Sequence, residues 1–191
     1  MTTAVQMNAE IPQTKETDIT VEKKMIKGSG DRLYQFKEWL PSIIILPIAI
    51  YLVLNRGNYL FIDNADLVIH EAGHFFFRFL GKFIYTAGGT LMQIILPSLI
   101  AWYFFKNSYR TGVQFSLLWL GQNFINISVY AADAQARKLH LLGDNKVYHD
   151  WHYMLYELHI LSYDYLVGYF LFVIAIIIFI VAILMPLVIK D

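Results

Sequence analysis

Asp164-Tyr-Leu-Val-Gly-Tyr-Phe-Leu-Phe-Val-Ile-Ala-Ile-Ile-Ile-Phe-Ile-Val-Ala-Ile-Leu-Met-Pro-Leu-Val-Ile189 decides the fold class. No charged residue stands between Tyr165 and Ile189, and about 20 apolar residues are what one helix needs to cross the hydrocarbon core. In lipid the backbone must satisfy its own hydrogen bonds, so such a stretch is a helix. Working outward, four more apolar stretches precede it. Ser42–Leu54 is short and must borrow length from Glu38–Pro41. Asp63 or Asn64 can cap a second helix running to about Phe83. Thr90–Phe105 forms a third and Thr111 to about Lys138 a fourth, with Gly88-Gly89 read as the turn before the third. Residues 31–40 and 150–161 carry apolar side chains at helical spacing with Trp39 and Trp151 among them, as helices lying in the interface do. The expectation is an all-α integral membrane protein with about five transmembrane helices plus interfacial helices.

Composition agrees. The chain is 57% hydrophobic and only 16% charged, against about 25% charged in an ordinary soluble domain. Fifteen Lys and Arg balance fifteen Asp and Glu, and without a basic excess nucleic acid is excluded as a main partner. The lipid bilayer is the expected one. Met1–Asp31 has no aromatic residue and is rich in Thr, Lys and Glu. It buries too little to offset its ordering entropy, so a disordered tail over 1–31 and a polytopic membrane domain over 32–191 are expected. With the tail placed in the cytoplasm and sides alternating, only Arg56, Lys106, Arg110 and Lys190 of the fifteen basic residues fall outside, as the positive-inside rule wants. There is no cysteine. Disulfides, thiol catalysis and thiolate metal sites are thereby excluded, and any metal must be held by nitrogen and oxygen.

The second helix carries the chemistry. His70-Glu71-Ala72-Gly73-His74 places two imidazoles about 40° apart on one helix face, one turn from each other. They can bind one metal ion while Glu71 reaches a water beside it as general base. Ionisable groups inside an apolar helix are costly to bury, and a metal supplies the compensation. A catalytic zinc site has three protein ligands and an open position. Asp133, among Ala131, Ala132 and Ala134, is the first choice for the third. Gln122, Asn123 and Asn126 continue its stripe and could orient a ligand or hold a substrate backbone. His149 competes as a ligand, and Asp150 can be an acceptor behind a histidine or the cap of the helix that follows.

His70-Glu-Ala-Gly-His74 in one transmembrane helix, followed two helices later by Asn126 and Asp133, resembles the core of the M50 family, the site-2 proteases. The resemblance covers about residues 60–138, a three-helix metal-site core. It implies an intramembrane zinc metallopeptidase in which His70, His74 and Asp133 hold Zn2+ and Glu71 is the catalytic base. A membrane protein or peptide is then the substrate. The segment Asn126-Ile-Ser-Val-Tyr-Ala-Ala-Asp133-Ala134 lacks the prolines and the glycine of the family's corresponding motif. The wider pattern, with Gly88-Gly89 and His149-Asp150-Trp151, is similar to that of bacterial membrane proteins, which implies the bacterial inner membrane; the Lys and Arg distribution puts the N-terminus in the cytoplasm. A non-catalytic subunit packed among other membrane subunits, with a structural metal or polar site, is the alternative. A metal transporter fits less well, because the ligands concentrate at one place.

Overall fold

The computed structural model describes residues 36–139 and 149–189. The chain divides into two units, Met1–Trp39 and Leu40–Asp191. Of the first only Phe36–Trp39 is described, the opening turn of helix α1 (Phe36–Leu54). The expected tail and the start of the first interfacial helix lie outside the described residues, as do residues 140–148.

Helices α2 (Asp63–Phe77), α3 (Lys82–Lys106), α4 (Arg110–Ala132), α5 (Asp150–Glu157) and α6 (Asp164–Leu184) follow. Short 3-10 turns at Leu161–Tyr163 and Met185–Leu187 flank α6. Among the described residues there is no strand. Three of these helices are long and apolar enough to cross a membrane: α1, α3, and α6 with its flanking turns over Leu161–Leu187. The other two of the five expected spans fall short on those grounds. Helix α2 has 15 residues, about 22 Å, and carries Asp63, Asp66 and Glu71. Helix α4 has the length but holds Arg110, Gln114, Gln122, Asn123 and Asn126.

The polarity of α4 has a structural reason. It is the central pillar, packed against α3 and α6 and touching α5. Its apolar residues Leu118, Leu120, Phe124 and Ile125 join Ile45, Ala49 and Leu52 of α1 and Ala175 and Phe179 of α6 in the main core. Because it is buried nearly all round, it shows no apolar stripe. Its polar side chains face neighbouring helices. Gln114 Nε2 donates both to Ser42 Oγ of α1 at 2.8 Å and to the Ala182 carbonyl of α6 at 2.9 Å. The outer faces of α3 and α6, by contrast, expose Leu99, Trp102, Tyr103, Phe170, Ile177 and Ile180. Apolar outer faces of this kind suit lipid.

Gly88 and Gly89 are not a turn. They lie inside α3, and the chain reverses earlier, around Gly81, whose φ of 86° favours glycine. Their smallness serves helix packing instead. A Cβ on Gly73 would collide with the Gly88 carbonyl, and one on Gly88 would come within 2.7 Å of the Gly73 carbonyl oxygen. Helices α2 and α3 therefore cross backbone to backbone. A Cβ on Gly89 would strike the His70 ring, so the glycine pair makes room for the imidazole as well as for the crossing.

Candidate metal centre

Four polar residues of α2, Asp63, Asp66, His70 and His74, recur at intervals of three or four and so share one face. That face lines a cavity of about 730 Å³, together with Glu71, Tyr130 and Asp150. The crossing at Gly73 and Gly88 fixes where the two histidines meet their neighbours. His74 Nδ1 lies 2.8 Å from the Tyr85 carbonyl oxygen, which can only accept, so this nitrogen carries the proton. His70 Nδ1 lies 3.0 Å from Gln93 Oε1, and donates to it in the same way. Neutral, both rings would offer an Nε2 lone pair, and protonated, both would donate from Nε2. In either form the two nitrogens converge on one carboxylate oxygen, Asp150 Oδ2, at 2.9 Å from His70 and 3.2 Å from His74.

Three acceptors facing one another repel unless positive charge lies between them. Two protons would do, but they would create two imidazolium rings with centroids only 4.8 Å apart. One divalent cation removes the conflict with a single charge centre. The ligand atoms of the trio all lie within 4.8 Å of one another, and a tetrahedral zinc with bonds of about 2.0–2.2 Å holds its ligand atoms roughly 3.3 Å apart. The Nδ1–H bonds to Gln93 and Tyr85 are the outer contacts that orient metal-binding imidazoles. The residues present fit a metal ion.

Asp150 reaches this point from the first turn of α5. His149 caps that helix, its Nδ1 accepting from the His152 amide at 3.2 Å, and the Asp150 amide donates to the Tyr130 hydroxyl of α4 at 3.0 Å. Burial alone would raise the Asp150 carboxyl, but hydrogen bonds from the Nε2–H groups of His70 and His74 outweigh it and hold the group below the ordinary carboxylate range. Burial pushes His149 below the ordinary imidazole value, against the opposing pull of Asp133.

Of the residues singled out from sequence, His70, His74 and Asp150 come together; Asp133 and His149 form a separate contact. Helix α4 ends at Ala132, and the Asp133 carboxylate accepts from the backbone amides of Lys138 and Leu139, both at 2.9 Å. It ties down the chain leaving α4, which is why it does not reach the trio. His149 Nε2 sits 3.5 Å from Asp133 Oδ2, close enough for an ionic contact but without hydrogen-bond geometry. Asn126 turns to α2, where its Nδ2 donates to Asp63 Oδ1 at 3.0 Å and Asp66 Oδ2 at 3.1 Å. Asn123 donates to the Trp119 carbonyl. Glu71 stands in the cavity wall, and its charge acts on His74 and Tyr130.

Three participants escaped the sequence reading: Gln93, Tyr130 and the Tyr85 carbonyl. Gln93 did leave a signal, as a lone amide in the apolar stretch of α3. So did Tyr130, four residues beyond Asn126 on the same stripe of α4. No family model, curated protein or solved structure matches this chain.

Proposed function

We propose that the protein is a membrane-embedded zinc metallopeptidase, with the metal held by His70, His74 and Asp150 and with Glu71 as general base. The observation that carries this reading is the convergence of two imidazole Nε2 atoms and a carboxylate on the wall of a cavity that also contains Glu71. A chain without cysteine offers only nitrogen and oxygen ligands, and a mixed His/Asp set suits zinc. Bound there, zinc would supply Lewis acidity and lower the pKa of a coordinated water. Glu71 takes the proton of the attacking water and returns it to the leaving amide nitrogen. Gln93 and Tyr85 keep the imidazoles in the binding tautomer throughout.

The resemblance to site-2 proteases supplies the substrate class, a peptide bond in or near the bilayer, with Asp150 taking the role first given to Asp133. The non-catalytic alternative calls for a closed fourth ligand, with His149 the candidate. His149 instead faces Asp133, which favours an open position on the cavity side. Glu71→Gln in the full chain, reconstituted in vesicles with zinc, tests the mechanism. Metal content should persist while cleavage of a fluorescently labelled casein and of co-reconstituted membrane proteins disappears. Equal cleavage by both forms would overturn it.

As part of the same proposal, α2 and α4 also lie within the membrane, making five spans, with the N-terminus cytoplasmic in a bacterial inner membrane. The one-sided distribution of Lys and Arg supports that orientation. Since the chain has no cysteine, Lys37→Cys and Asn107→Cys can be labelled without background in intact cells. An impermeant maleimide should reach only the second.

A further inference from the structure

Tyr130 lines the cavity beside Asp150, His70 and Glu71, yet the mechanism above does not use it. Its position is fixed from three sides. The ring packs 4.4 Å from the His149 ring and 6.0 Å from the His70 ring, centroid to centroid. The hydroxyl oxygen accepts the Asp150 amide proton at 3.0 Å. Because the oxygen is the acceptor in that bond, the hydroxyl proton is directed elsewhere, toward the Asp150 carboxylate that acts on it or into the cavity that it lines. A phenol with an ordinary pKa of about 10 keeps that proton at neutral pH. Within one aspartate, the backbone nitrogen and a carboxylate oxygen are at most about 5 Å apart. The hydroxyl therefore stands within the reach of one ligand residue from the metal centre, on the wall where a substrate carbonyl would lie.

We propose that Tyr130 is a catalytic residue that donates a hydrogen bond to the oxygen of the scissile carbonyl as that oxygen gains negative charge. This rests on the peptidase reading above and adds its electrophile: α2 supplies two ligands and the base, α5 the third ligand, and α4 the proton donor to the oxyanion. No covalent bond to the phenol forms and none breaks. Its contribution grows as charge develops, which is the property that accelerates a reaction.

The test uses the full chain in detergent, loaded with Co2+ as a visible-absorbing metal, and compares Tyr130→Phe with wild type. Two probes are titrated. Acetohydroxamate places an anionic oxygen where the reacting oxygen would be, and imidazole occupies the metal without needing a donor. Tyr130→Phe should weaken acetohydroxamate about 10- to 100-fold, the range for losing a hydrogen bond to a charged group, and leave imidazole within about twofold. Equal affinities for acetohydroxamate, or equal weakening of both probes, would overturn the role; the second result would mean that the phenol only positions Asp150. If wild type and His70→Ala give the same cobalt spectrum, the metal reading itself falls, and this inference with it. If Glu71→Gln abolishes cleavage and Tyr130→Phe leaves kcat unchanged, the peptidase reading stands and this inference alone fails.

Discussion

Two buried polar clusters lie one helical turn apart on the same face of α2 and on the same cavity, and they solve opposite problems. Around Asp63 and Asp66 there are ample donors. Gln122 and Asn126 give N–H groups to Asp63 Oδ1, Trp119 gives one to Asp66 Oδ1, and Asn126 gives another to Asp66 Oδ2. Around His70, His74 and Asp150 donors are scarce. The Nδ1 protons go to Gln93 and Tyr85, so only a second proton on a ring, at Nε2, gives Asp150 a donor. With neutral rings three acceptor atoms face inward. A buried carboxylate is stable when N–H groups converge on it, and buried acceptors that converge on one another call for a cation. The first cluster fastens α2 to α4; the second is a group that could hold a metal ion. Acidity alone does not distinguish them, since the first holds more carboxylates than the second.

The largest expected effect follows from removing a nitrogen ligand. His70→Ala or His74→Ala should lower zinc affinity by more than about 100-fold, beyond the 10- to 100-fold that an outer contact is worth. Metal analysis of the purified full chain reads this directly, and retained stoichiometric zinc would collapse the contrast between the clusters. Next come two aspartates, Asp150 beside the histidines and Asp133, the first choice of the sequence. Asp150→Asn should lose most of the metal, whereas Asp133→Asn should keep it within about threefold. The latter should cost only about 1 kcal/mol in stability, since one of its two amide partners loses an acceptor. If Asp133→Asn empties the site and Asp150→Asn does not, the ligand assignment is reversed. Chelation of the metal should also speed hydrogen exchange at α5, over Asp150–Glu157, which the centre tethers to α2. Exchange around Asp63–Asp66 should hardly change.

A smaller effect is expected at Gln93, whose amide oxygen fixes the His70 tautomer. Gln93→Leu should weaken zinc about 10- to 100-fold, as other outer contacts do, without unfolding the chain. Unaltered affinity would show that the tautomer is set some other way. Gln93 also illustrates what the sequence could and could not convey. Helical type, the apolar character of α6 and the paired histidines are local, and periodicity of 3.6 makes them legible from residues a few positions apart. The short Ser42–Leu54 stretch gains its length from further back than Glu38–Pro41, since α1 opens at Phe36 and takes in residues read as the end of an interfacial helix. Which acid stands beside the two histidines was not legible, because it depends on where the chain goes after α4. Asp133 and Asp150 both follow that helix; Asp133 binds the amides of Lys138 and Leu139, and Asp150 meets His70 and His74. The Gly88-Gly89 pair misled for a similar reason. Glycine at a turn and glycine at a backbone-to-backbone crossing look alike in one dimension, and only the partner, Gly73, tells them apart.

The smallest expected effect on the metal is at the donor-rich cluster, and it is the sharpest test of the comparison. Asp66→Asn exchanges one acceptor oxygen for an NH2 group. Trp119 Nε1 and Asn126 Nδ2 each donate to a different oxygen of this carboxylate, so one of them must face a donor in the variant. A buried polar group left unpaired costs about 1–3 kcal/mol. Stability of the full chain in detergent should fall by that amount, and the emission of Trp119 should shift because its partner has changed. Zinc affinity should stay within about twofold, since no ligand of the trio hydrogen-bonds to Asp66. A large loss of zinc with unchanged stability would mean that the cavity couples the two clusters, as it would if Asp66 compensated the charge of the metal centre. A loss of stability alone means that the acid is a fastener whose negative charge the amides and the indole already balance.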